Sequence, residues 1–134
     1  MSHKKMRDTH TSDLAGIDEE KLADCIVACS DCAQACTACA DACLTQEMTS
    51  ELSRCITESL SCAAACVTTG RTLSSLSSYD SNLTRGMLEV CAAACKACRE
   101  ECEMQADMHE HCRVCAEACQ RCEDACNELL ASFG

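Results

Sequence analysis

The chain has 134 residues, enough for one domain with a single core, and its formal net charge of −11 argues against a nucleic-acid surface built from clustered Lys and Arg. Eighteen cysteines stand beside one Tyr, one Phe, no Trp and no Pro, so the usual bulky core anchors are missing and the 48% hydrophobic fraction is mostly Cys and Ala. The interior must be narrow, or filled by something other than side chains.

Residues 1–17 read as a flexible polar tail. In it His3, Met6 and His10 are expected to fray in solvent, the alternative being contact with a metal, and a short helical turn after Ser12 or Asp13 is expected to set Leu14 and Ile17 over one end of the domain. No apolar run of signal-peptide length follows the N-terminal charges, and no window approaches the length of a transmembrane helix. The expectation is a cytoplasmic protein with no membrane partner. In a reducing compartment its cysteines stay thiols, which sets a disulfide framework behind metal binding.

The first helix is expected from Asp18, an N-cap residue followed by Glu19 and Glu20, to about Gln46. Cys25, Cys29, Cys32, Cys36, Cys39 and Cys43 stand on it in alternating steps of four and three residues. That is the heptad spacing of a coiled-coil seam, and at about 100° per residue all six fall within an arc of roughly 80°. The second helix is expected from Thr49 or Ser50 to a C-cap at Gly70. Its seam is Met48, Leu52, Cys55, Ser59, Cys62, Cys66 and Thr69, with Ser59 where the pattern calls for another thiol. Residues 71–81 form a serine-rich linker in which Leu73 and Leu76 can still pack.

A third helix is expected from Asp80 to Asn82 as far as Gln105, with Leu88, Cys91, Cys95, Cys98 and Cys102 on its seam. The fourth begins at Asp107, which forms a capping-box-like pair with Glu110. Its seam is Met108, Cys112, Cys115, Cys119, Cys122, Cys126, Leu129 and Phe133. The fold class is all-α: residues 18–134 as an antiparallel up-down four-helix bundle, with a short N-terminal helical extension before it.

Eight C-x3-C pairs account for 16 of the cysteines, leaving Cys55 and Cys112 alone. Thiols at i and i+4 lie one helical turn apart, so a pair can grip one ion and bridge to the next. A site made only of thiolates selects soft ions: Cu(I), Zn(II) or iron–sulfur clusters. Bridging thiolates and Cu(I) give a capacity on the order of one ion per cysteine, and one Cu(I) per thiolate leaves a dry core neutral. Zn(II) prefers closed sets of four ligands, usually from loops, and ferredoxin-type clusters use a loop motif ending in proline. Buried cysteine is also an ordinary small core residue, but not at nearly every seam position of four helices.

Alternating helices gather Met48, Met104, Met108, His109 and His111 at one end. Of these, Met48, Met108, His111 and His109 are candidate ligands at a mouth through which ions reach the thiols. The alternative there is that the Met side chains plug the end and the His rings face solvent.

The striping of Cys25 to Cys43, Cys91 to Cys102 and Cys112 to Cys126 resembles the bacterial copper storage proteins, and the missing export signal resembles their cytosolic branch. The resemblance covers about residues 18 to 130. It implies a bundle whose lumen stores many Cu(I) ions on cysteine pairs, a mouth carrying His or Met, a homotetramer, and a role in copper homeostasis without catalysis. The alternatives are buffering of Zn(II) or another soft metal, and an iron–sulfur electron carrier. A thiol oxidoreductase is set aside, because its C-x2-C motif works beside a sheet and no strand pattern is present.

Overall fold

The computed structural model describes residues 17–76 and 80–133, which form four helices. The expectations for the N-terminal tail, including its short helical turn, His3, Met6, His10 and Leu14, lie outside the described residues. Helix α1 spans Glu19–Cys43, α2 Ser50–Ser74, α3 Ser81–Gln105 and α4 Glu110–Ala131. Each packs against its neighbours in sequence, and α1 meets α4 to close the ring. The helices alternate in direction: Cys25 near the start of α1 meets Cys126 near the end of α4, and Cys55 on the first turns of α2 meets Cys102 at the end of α3.

Three of the four starts are set by side-chain caps. The Asp18 carboxylate accepts from the Lys21 N–H, the Thr49 hydroxyl from Leu52, and the Asp80 carboxylate from both Asn82 and Leu83. The fourth start departs from expectation. Helix α4 has His109 as its N-cap, with no side-chain capping bond, and Asp107 lies in the turn before it. The Gln105 carbonyl accepts from both the Met108 and His109 N–H groups, so the chain is still winding off α3 where a capping box would need extended backbone.

Two ends also differ. Helix α1 stops at Cys43, with residues 44–46 in a turn, short of Gln46. Helix α2 runs through Gly70 to Ser74. Gly70 is therefore no C-cap; it sits inside the helix where a Cβ would come 3.6 Å from the Cys29 Cβ. The hydroxyls of Ser74 and Ser75 return to the carbonyls of Gly70 and Arg71, which keeps the last turn bonded. Leu73 and Leu76 are buried, as the linker reading allowed.

One further expectation needs correction. By length and composition alone α1 is apolar enough to cross a membrane. Its apolarity comes from the thiol stripe, its alanines and Leu22, Ile26 and Val27, and the fold buries the stripe, Leu22 and Ile26 against the other helices. The same composition therefore describes an interior wall.

The large buried side chains are unevenly placed. Leu22, Leu73, Leu76, Leu88 and Leu129 all gather at the end of the bundle where α1 and α3 begin, and Ile17 and Phe133 pack on them. At the opposite end Leu52 is the one buried leucine among the described residues. Between these ends the core is mainly sulfur, with alanines and Ser59 beside it.

Candidate metal centre

All eighteen cysteines are buried and none is in a disulfide. The heptad steps bring each stripe inward, and four stripes at bundle spacing put the sulfurs in contact. Within one helix, Cys32–Cys36, Cys62–Cys66 and Cys98–Cys102 stand 3.9, 4.0 and 3.9 Å apart. Between helices the spacing is as tight or tighter: 3.7 Å for Cys36–Cys119 and for Cys62–Cys95, and 3.5 Å for Cys55–Cys102. The i, i+4 pairs seen in sequence are thus only part of the arrangement.

The sulfurs form overlapping groups of four. Cys29, Cys91, Cys122 and Cys126 make one; Cys32, Cys66, Cys95 and Cys122 another; Cys32, Cys36, Cys62 and Cys119 a third; and Cys36, Cys98, Cys115 and Cys119 a fourth. In each, all ligand atoms lie within 4.8 Å of one another. Cys32, Cys36, Cys119 and Cys122 each belong to two groups. Such sharing suits bridging thiolates and a chain of ions better than separate closed sites.

Ionisation follows the crowding. Two abutting thiols cannot both be charged in a dry interior, so touching thiols are pushed in opposite directions. Cys25 is brought down to about 5 by hydrogen bonds from Cys126 and Cys29, against its burial. Cys122 is lowered to about 7, first by Cys126 and then by Cys29. Cys32 is lowered chiefly by Cys119, and Cys39 chiefly by Cys102. Their neighbours go the other way: Cys29 is raised by its bond to Cys122, and Cys36 by its bond to Cys115. Cys43, at the mouth, is raised first by burial and then by the Cys39 charge. A soft cation that replaces these protons neutralises the column and relieves the crowding of charge.

At the mouth, Cys39, Cys43, Cys112 and His111 form a mixed group, with the His111 Nε2 3.4 Å from the Cys43 Sγ. Cys55 and Cys112, isolated in sequence, both find partners across helices. Of the four candidate mouth ligands, His111 touches the thiol column. Met108 and His109 instead line a surface pocket of about 390 Å³ together with Met104 and Gln105. The His109 and His111 ring centroids are 5.5 Å apart, so the pocket adjoins the mixed group.

Met108 and Met48 do not lie on the buried seam: they are 78% and 46% exposed. Both precede their helix, Met48 before the N-cap Thr49 and Met108 before the N-cap His109, and a helical period cannot be carried past a cap into extended backbone. Ser59 is the opposite case. It keeps the seam position and is fully buried, with its Oγ 3.6 Å from the Cys98 Sγ.

The comparisons agree with this geometry. The copper storage protein family matches residues 18–131. A Streptomyces lividans copper storage protein, Ccsp, loaded with 10 copper equivalents is 50% identical, with a TM-score of 0.95 over 98% of this chain and 99% of that one. A structure of copper loading to a cytosolic copper storage protein from the same organism, with five coppers, is 54% identical, with a TM-score of 0.84 over 86% and 96% of the two chains. Cu(I)-bound BsCsp3 is more distant, at 33% identity and a TM-score of 0.70 over 79% and 94%. No match is found among curated proteins. With the thiol column, the family match across the whole bundle and these likenesses together, the chain belongs to the copper storage protein family.

Proposed function

We propose that this chain sequesters Cu(I) in the cytoplasm on the thiolates of its eighteen cysteines, as a store without catalytic activity. The observation that carries the reading is the unbroken column of buried, mutually touching sulfurs from Cys25 and Cys126 at one end to Cys43 and Cys112 at the other. Storage needs no chemistry beyond exchanging a thiol proton for a copper ion. The cytosolic description of the Streptomyces lividans relative supports the compartment.

The leucine end is closed by packed hydrocarbon, so ions pass through the mouth. In this proposal Met104, Met108 and His109 receive Cu(I) in the surface pocket, since thioether and imidazole bind it without losing a proton. His111 then passes the ion to Cys39, Cys43 and Cys112. The net charge of −11 draws cations toward the protein. Assembly as a homotetramer belongs to the same proposal. It is supported by the uncharged stretch 59–70 of α2, where Leu60 and Val67 are exposed, and sedimentation analysis checks it.

A second reading, Zn(II) buffering, is favoured by the four-sulfur groups. A Zn–S bond of about 2.3 Å implies sulfurs about 3.8 Å apart in a tetrahedron, close to the contacts described above. The sharing of sulfurs between groups argues against it, because closed Zn(II) sites would need four sulfurs each. Anaerobic titration of the reduced protein with Cu(I) against a competing chelator decides between them. Saturation near one ion per thiol is expected. Saturation near four ions, about four sulfurs to each, would instead support zinc-type sites.

A further inference from the structure

Helix α2 is the poorest in thiols, and the gap in its stripe is filled by a specific residue. The seam reads Leu52, Cys55, Ser59, Cys62, Cys66, so Ser59 stands where a cysteine would complete the ladder. The missing thiol leaves Cys55 and Cys62 seven residues apart, about 10.5 Å along the helix, against about 4.5–6 Å for an ordinary step of three or four residues. At this level the group Cys36, Cys98, Cys115 and Cys119 draws on α1, α3 and α4 alone.

Ser59 is no neutral filler. A buried hydroxyl is unfavourable unless it is hydrogen-bonded. Elsewhere in these helices hydroxyls return to the backbone: Thr57, Thr68 and Thr72 each bond the carbonyl four residues earlier. Thr69, also fully buried on the α2 seam, donates across to the Met87 carbonyl. The partner of the Ser59 hydroxyl is instead a sulfur. Its Oγ is 3.6 Å from the Cys98 Sγ, nearer than either Cys36 or Cys102, each at 3.9 Å from the same atom.

A hydroxyl differs from a thiol here in two respects. It keeps its proton at neutral pH, and it is a hard oxygen that soft Cu(I) disfavours. It can therefore donate a bond to the Cys98 sulfur in the metal-loaded state without adding charge or a bridging ligand.

We infer that Ser59 is a positioning residue for the copper load: it holds Cys98 by an O–H···S bond and withholds a bridge along α2. Across this level the sulfur contacts run from Cys102 to Cys98 and on to Cys36, so the column stays continuous through α1 and α3 while α2 supplies no bridging thiolate there. This inference rests on the storage reading above.

The test is anaerobic Cu(I) loading of wild type, Ser59→Cys and Ser59→Ala, read by native mass spectrometry through the titration. Circular dichroism establishes that each variant is folded. Ser59→Cys is expected to bind about one more ion per chain, since it adds a bridging thiolate along α2. Ser59→Ala is expected to keep the wild-type capacity but to give up its copper to the chelator bicinchoninate more readily, by up to about tenfold, the equivalent of one hydrogen bond. If Ser59→Cys binds no more ions than wild type, or Ser59→Ala holds its copper as firmly as wild type, the inference is overturned. If wild type itself binds only a few ions, the storage reading fails and not this step alone.

Discussion

His111 Nε2 and Cys43 Sγ lie 3.4 Å apart across the mouth, joining the first turn of α4 to the last turn of α1. Imidazole and thiol thus share a boundary between solvent and the sulfur column. His111→Ala removes the nitrogen but none of the eighteen thiols. Loading is expected to slow several-fold in its first phase, while the final capacity changes by no more than about one ion. Stopped-flow absorbance of the thiolate-to-copper band, paired with an endpoint titration, separates the two. An unchanged first phase would remove His111 from the path.

The opposite end makes a stability prediction. Leu129 is fully buried among Leu22, Leu73 and Leu88, where the interior is hydrocarbon and not sulfur. Leu129→Ala should cost the apo protein about 2–5 kcal/mol, through lost burial and the cavity left behind. Copper binds the folded state, so loading should recover much of that loss. Thermal melts of the apo and loaded variant check both parts, and a variant as stable as wild type before loading would contradict the description of this end as a packed plug.

Gly70 offers the reverse change. It lies inside α2, and a Cβ there would make an ordinary 3.6 Å contact with the Cys29 Cβ. Gly70→Ala should stabilise the apo protein by about 0.5–1 kcal/mol, because alanine loses less backbone freedom in a helix interior. Chemical denaturation measures it. A loss of stability would mean that the contact with Cys29 is tighter than it stands and that the thiol column tolerates no added bulk on this side.

Much of this protein was determined by its sequence alone. The steps of three and four between cysteines confine the thiols to one side of each helix, whatever the partner, because the helical period is a property of the backbone. Asp18, Thr49 and Asp80 likewise mark their helix starts, since a cap is a contact between residues two or three apart. What lay beyond local geometry was decided only by the tertiary fold. Which sulfurs share a group, the pairing of Cys55 with Cys102, and the separation of His111 from Met108 all depend on how four helices face one another. So does the difference between Thr69 and Ser59, two buried hydroxyls on one seam, of which one finds a carbonyl and the other a thiol. Periodicity says which way a side chain points; only packing says what it meets there.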